Sequence, residues 1–314
     1  MTAPSLSPAA VRSTTLPNGL ALEAASSREA AFLYCEIFEG GAYTRHGIDV
    51  GDGATVLDVG ANVGAFSVAM AQRHRDLRLV LFEPVPDTFA LLQRNAERLL
   101  GSARVTLVRA GVSSAPGRVT FEIPASSAQA TAHPATCKPN AGARGKVGLQ
   151  TWVRAGLEDA RRAKQIRPRL ATVIERGLEH GVLRPVILGA ILVALGGVSL
   201  AHRVRTKHVE CEMTTISAAL RECGIDSVDL AKIDVEGAEW AALQGIDESD
   251  WPRIRQLAIE VHDVDGRAER MRDLLEAKGY RVVVEQADWA THRLMGIHMV
   301  YASRDRAVAS ASAG

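Results

Sequence analysis

Aromatic residues are scarce in this chain, at 4%. That argues against a stacking platform for single-stranded nucleic acid, which needs ring after ring along a groove. Cysteine is scarce too. Cys35, Cys137, Cys211 and Cys223 stand apart, with neither metal-type pairing nor a disulfide framework. Such spacing suits reduced thiols in the cytosol. The first ten residues lack a basic stretch followed by an apolar core, so no secretory leader is expected and a cytoplasmic location is. Neither sign of charge dominates. The net is +1, so no whole-chain attraction to nucleic acid is expected. One uncharged run, from Val186 to Ala201, has 16 residues. At ~1.5 Å per helical residue it spans roughly 24 Å, short of the ~30 Å hydrocarbon core of a bilayer.

What the chain has is 314 residues, 47% of them hydrophobic, enough for a sizeable core in one large domain or two modest ones. The stretch that organises the rest is Val56-Leu57-Asp58-Val59-Gly60-Ala61-Asn62-Val63-Gly64. Its apolar, β-branched start predicts a buried parallel strand. Gly60 and Gly64 allow tight turning, and Asn62 is expected to cap a helix carrying Phe66, Met70 and Ala71. The unpaired N–H groups of that helix start suit a polar ligand.

Strand and helix then alternate. Strands are expected at 77–82, 105–108 and 117–123, with a helix capped by Asp87 between the first two. After residue 207 the expected order is helix 214–224, strand 228–233, helix 237–243, strand 254–261, helix 265–278 and strands 281–284 and 297–301. This rhythm predicts an α/β fold with a doubly wound, mostly parallel sheet. Residues 1–15 and 304–314 are expected to be a disordered arm and tail. Residues 16–50 form an N-terminal lid region, in which Leu16-Pro17-Asn18-Gly19-Leu20 joins two short strands and a helix runs from Arg28 to Phe38. The core occupies 51–124 and 208–303. Residues 125–207 make a loop and helical insert, expected to be a lid or a partner or membrane contact, with Val186 to Ala201 inside it expected as a buried lid or core helix, or else as a membrane-contacting segment. Residues 150–207 carry eleven Lys and Arg against four Asp and Glu, a local +7 that leaves the remainder at −6. A solvated face is the plain explanation. An anionic membrane surface or an acidic partner protein is the sharper one.

Four acidic residues fall at expected strand ends: Asp58, Glu83, Asp234 and Glu260. In an open α/β sheet such ends collect the ligand. Glu83 lies 23 residues beyond Gly60, placed to accept hydrogen bonds from a ribose diol. Dinucleotides and S-adenosylmethionine both use that geometry. The turn lacks the third glycine of a pyrophosphate loop, and Asp58 would repel a phosphate while suiting an amino group. S-adenosylmethionine is therefore the expected cofactor.

Leu57 to Gly64, Phe82-Glu83-Pro84 and Lys232-Ile233-Asp234-Val235-Glu236-Gly237-Ala238-Glu239 together resemble the FkbM family of S-adenosylmethionine-dependent methyltransferases. The resemblance covers about residues 16–123 and 209–302 and is poorest over 125–207. Leu16 to Gly19 and Tyr34 to Phe38 are similar to members found beside polyketide and peptide synthetases. The resemblance implies a class I methyltransferase (Rossmann-like) fold and O-methylation of a hydroxyl on a sugar or secondary metabolite. It also implies that Asp58, Gly60, Asn62 and Gly64 hold the methionine end, Glu83 the ribose, and Val112 and Ser113 the adenine.

Methyl transfer to oxygen needs alignment of two centres and an acceptor for one proton. Asp234 and His262 are the expected acid/base pair, with Glu236 orienting the substrate. A divalent cation held by Asp234, Glu236 and Glu260 or His262 is the competing arrangement. Helix capping is an alternative role for Glu236 and Glu239, and a structural hydrogen bond for His262. Expected partners are a small acceptor, free or tethered to a carrier protein, and a membrane through Val186 to Ala201 if the substrate is a lipid or isoprenoid. A non-catalytic S-adenosylmethionine-binding protein is the remaining alternative. Nucleic acid is not expected, since no Asn/Asp-Pro-Pro-aromatic motif follows the fourth core strand.

Overall fold

Strand β3 (Thr55–Val59) runs through the middle of a seven-stranded sheet and is buried from Val56 onward. The computed structural model to which it belongs describes residues 12–123, 149–179 and 207–304. On one side of β3 lie β4 (Arg78–Phe82) and β5 (Arg104–Val108). On the other lie β9 (Leu230–Ile233), β10 (Gln256–His262), β12 (Ile297–Ser303) and β11 (Arg281–Gln286), in that order. Only β12 runs against its neighbours. The inner strands β9 and β10 are buried at every residue, as strands covered on both faces must be. The edge strands β5 and β11 carry exposed positions.

Helices cover both faces. On one pack α2 (Ala65–Arg73), α3 (Pro86–Leu99) and a hairpin of β1 (Arg12–Thr15) and β2 (Ala21–Ala24), around Leu22, Val56, Phe66, Leu79 and Leu92. On the other pack α6 (Ile216–Glu222), α7 (Glu239–Gln244) and α8 (Arg267–Ala277), around Leu57, Leu220, Ile259 and Met271. Each such apolar side chain contributes about 1.5–3 kcal/mol by leaving water. The strand order reverses between β3 and β9, and the crevice at their carboxyl ends is where a sheet of this kind binds its ligand.

Several elements differ from expectation. Residues 12–15, assigned to the disordered arm, form β1, because they pair with β2 across the Pro17-Asn18-Gly19 turn. The first helix is short, α1 (Ser27–Leu33), and widens into a π-helical turn at Tyr34–Glu39. Ser26 accepts from the Glu29 N–H and Glu29 bonds back to Ala25 N, a reciprocal cap. Asn62 does not cap α2. Gly64 occupies that position at φ 86°, while the Asn62 side chain bonds Glu29 instead. Asp87 does not cap α3 either. Val85 is the cap residue and Pro86 opens the first turn. Strand β7 (Gly117–Ile123) leaves the main sheet and joins β6 (Gly111–Val112) and the unexpected β8 (Lys207–Thr214) in a separate sheet. Val209, Cys211 and Met213 alternate with His208, Glu210 and Glu212, a period-two pattern that marks β8.

Of the insert, α4 (Leu149–Arg162) and α5 (Pro168–Glu179) are described. The 16-residue run from Val186 to Ala201 lies outside the described residues, as do 1–11 and 305–314. Among the described residues no helix is long and apolar enough to cross a membrane.

Candidate active site

Two turns meet at the crevice. The turn after β3 carries Gly60, Asn62 and Gly64 at φ 77°, 50° and 86°, and the turn after β9 carries Glu236 and Gly237 at φ 52° and 99°. Gly60 is required by contact as well as by φ: a Cβ there would lie 1.7 Å from the Asp234 carbonyl oxygen. Lys232 locks the turns together. Its Nζ donates to the Gly60 carbonyl at 2.7 Å and stands 3.3 Å from Asp58 and 3.5 Å from Asp234. Burial works against the ammonium, but these two carboxylates outweigh it and raise its pKa.

The cleft beside these turns holds about 630 Å³, including its open mouth. Gly60, Asn62, Glu83, Val112, Asp234 and Glu236 are among the residues lining it. Glu83 accepts from the Asn62 N–H at 3.2 Å and the Val85 N–H at 2.9 Å. Burial nevertheless pushes its pKa up to about 7. A carboxylate has about four lone-pair positions, so Glu83 keeps capacity for a diol. Asn62 Oδ1 is buried with no partner among the described residues, which leaves an acceptor for a donor on a ligand. Phe82, Val112 and Phe121 supply apolar wall. A diol acceptor, an unpaired amide oxygen and an apolar wall, with no arginine or lysine among the described lining residues, fit a nucleoside without phosphate.

Not every expected cofactor residue reaches the cleft. Asp58 is fully buried; it accepts from Ser67 Oγ at 2.7 Å and pairs with Lys232, so its carboxylate does not face a ligand amino group. Gly64 faces Leu92, whose Cδ1 lies 2.8 Å from where a Cβ would be, and so serves helix packing. Val112 lines the cleft, whereas Ser113 donates its N–H to Thr214 and does not. Phe121, on β7, was not expected there.

On the far side, Asp234 lines both this cleft and an inner cavity with Glu36, Tyr43 and Lys232. The Tyr43 hydroxyl donates to Asp234 Oδ2 at 2.9 Å. His262 is clamped: Nδ1 lies 3.3 Å from Glu239 and Nε2 3.5 Å from Glu236. Burial disfavours its charge, but Glu239 and Glu236 outweigh that and raise its pKa. Glu239 is fully buried and also accepts from the Gly237 N–H at 2.5 Å and pairs with Arg267, so it ties down the turn that leads into α7.

Glu260 does not gather with Asp234 and Glu236 as an ion-binding set among the described residues. It gathers with Glu36 and with His292 of α9 (Ala290–Met295). No site role was expected for Glu36, Lys232 or His292, and Tyr43 was expected only as core packing or as part of a lid over the ligand at Gly60. The available signal was a charge inside an apolar run, at Glu36 in Tyr34 to Phe38 and at Lys232 in Leu230–Ile233.

A family model described as the methyltransferase FkbM domain matches residues 58–282. The 31-O-demethyl-FK506 methyltransferase FkbM of Streptomyces tacrolimicus is 33% identical over 276 residues, covering 88% of this chain and 91% of that protein. Methyltransferase sdnD of Sordaria araneosa is 28% identical over 282 residues, covering 86% and 90%. The AMB antimetabolite synthetase AmbE of Pseudomonas aeruginosa is 31% identical over 280 residues, which are 86% of this chain and 12% of that far longer protein.

Proposed function

The chain belongs to the FkbM methyltransferase family, and from that premise we propose that it uses S-adenosylmethionine to methylate a hydroxyl oxygen of a sugar or secondary metabolite. The observation that carries this reading is the position of Asp234. Asp234 lines the cleft on one side and the inner cavity on the other, and Tyr43 holds its carboxylate from within. When bound, S-adenosylmethionine supplies an activated methyl group. Glu83 would bind the ribose, Asn62 a donor on the cofactor, and Val112 and Phe121 the base.

Asp234 would accept the proton that the acceptor hydroxyl loses, a role worth typically 10²–10⁴ in rate. His262, with both nitrogens turned to carboxylates, would hold Glu236 rather than take the proton itself. The name of the Streptomyces relative points to oxygen as the acceptor atom. We include metabolites tethered to a carrier protein in the acceptor class, because a similar stretch is built into a synthetase.

Calorimetric titration with S-adenosylhomocysteine tests the cofactor. Methyl-labelled S-adenosylmethionine with a panel of hydroxylated acceptors tests the reaction, because the carbon-13 shift of the product tells O-methyl from N-methyl and C-methyl. Asp234→Asn is expected to keep S-adenosylhomocysteine affinity within about threefold and lose at least about a hundredfold in turnover. Turnover that survives within a few-fold, or a product methylated only on nitrogen or carbon, overturns the reading.

A further inference from the structure

Behind Asp234, three groups from remote parts of the chain meet in the interior. Glu36 comes from the π-helical turn, Glu260 from β10 and His292 from α9, and one ligand atom of each lies within 4.8 Å of the others. Their exposures are 8%, 7% and 6%. The Nδ1 of His292 is buried with no hydrogen-bond partner among the described residues. From this arrangement we propose that Glu36, Glu260 and His292 bind one divalent first-row transition-metal ion.

Several observations support the proposal. The local backbone is spent on bringing Glu36 inside: the Tyr34–Glu39 turn is π-helical, and a Cβ on Gly40 would lie 2.7 Å from the Glu36 carbonyl oxygen. Single π turns of this kind concentrate at functional sites. Among the described residues neither carboxylate has an ion-pair partner within 4.0 Å; Lys232 favours their charge from farther off, but its ammonium is already committed to Asp58, Asp234 and the Gly60 carbonyl. Arg45 and Arg162 border a second cavity, which Glu36 and Glu260 also line, but they bond Glu285, Asp288 and the Gly40 carbonyl. Trp289 gives Glu36 a hydrogen bond and no charge. For Glu260, burial, then Asp234, Glu36, Glu236 and Glu239 all disfavour the charged form. The unpartnered Nδ1 leaves the His292 ring with an open ligand atom, and imidazole is the commonest metal ligand. A bound dication would reverse the penalty on the glutamates and use that ring.

The size is compatible. Ligand distances of about 2.0–2.2 Å require these atoms to draw in by less than about 1 Å. Two carboxylate oxygens with one imidazole nitrogen favour Mn²⁺, Fe²⁺ or Zn²⁺ over Ca²⁺ or Mg²⁺, which prefer all-oxygen sets. Glu36 also borders the inner cavity that holds Tyr43 and Asp234. The ion would thus stand at the back of the acceptor side and could hold an acceptor oxygen. That last role rests on the methyl-transfer reading; the binding itself does not.

The test is Mn²⁺ titration of the full chain after chelation and dialysis, followed by the loss of the free-ion electron paramagnetic resonance signal. One ion per chain is expected. Glu260→Gln and His292→Ala should each weaken it by at least about a hundredfold, since loss of a supporting partner alone costs 10–100-fold. Glu36→Gln gives the same readout should either variant fail to fold. Excess Zn²⁺ should displace the Mn²⁺. No binding at millimolar Mn²⁺, or one ion bound equally by all three variants, overturns the proposal. S-adenosylhomocysteine titration of the same samples separates this outcome from failure of the methyl-transfer reading, since the cofactor cleft contains none of the three residues.

Discussion

Glu83 holds the β3 turn through the Asn62 N–H and its own loop through the Val85 N–H, while burial pushes its pKa up to about 7. Hydroxyl donors on a ribose favour the charged carboxylate, so binding a cofactor there expels a proton. Affinity for S-adenosylhomocysteine should therefore rise with pH up to about 7 and level off above it, falling by at most about tenfold per unit below. Calorimetry in buffers of different ionisation enthalpy measures the released proton directly. In Glu83→Gln the affinity should be weaker at every pH and nearly flat. A wild-type profile that is flat from pH 5.5 to 8 would remove Glu83 from the ribose role. The importance of Glu83 was legible from its spacing to Gly60. Asp58 was expected to face a ligand but lies outside the cleft, because its partner Lys232 is hidden in an apolar strand 174 residues away. A one-dimensional reading gives a strand-end acid to the ligand by default. Only the fold reveals that a buried ammonium takes it first.

Helix α9 has six residues, too few to show a helical period, and it was missed for that reason. Its cue was local: Gly296 follows at φ 75°, the left-handed stop that ends many helices. Its start has no cap of its own, since the Trp289 side chain makes no capping hydrogen bond. The insert supplies one. Asp159 of α4 accepts from the Ala290 and Thr291 N–H groups at 2.7 and 2.9 Å and from the Thr291 hydroxyl. Arg162 of the same helix stacks over Trp289 at 4.6 Å. The long helices and the central strands were legible because apolar periodicity repeats within each; the helix that carries His292 owes its footing to a segment 131 positions earlier. Asp159→Ala should cost about 1–2 kcal/mol of stability, as lost caps do. It should leave S-adenosylhomocysteine affinity unchanged, because no part of α4 lines the cofactor cleft. Denaturant unfolding and calorimetry on one preparation check both. A loss of cofactor affinity as large as the loss of stability would mean that α4 supports the cleft as well.

Across the whole molecule, the two halves of the sheet meet at a single seam. β3 and β4 bring Gly60, Asn62 and Glu83, while β9 and β10 bring Asp234, Glu260 and His262. The candidate cofactor side was traceable in sequence because its residues are consecutive or one βαβ unit apart. The candidate acceptor side was traceable only where it follows β9 and β10, since Glu36, Tyr43 and His292 arrive from opposite ends of the chain. A ligand lying across the seam should stabilise the domain as one body. At a hundred times its dissociation constant, S-adenosylhomocysteine adds about 2.7 kcal/mol, a rise of roughly 5 °C in Tm for a domain of this size. Gly60→Ala puts a methyl group 1.7 Å from the Asp234 carbonyl oxygen at φ 77°, so the β3 and β9 turns must separate. That variant should fold with a lower Tm and lose most of the ligand-induced rise. Thermal scans of wild type and variant, with and without ligand, measure the difference. An undiminished rise in Gly60→Ala would show that the ligand is held by one half alone, and that the contact between the turns serves folding rather than binding.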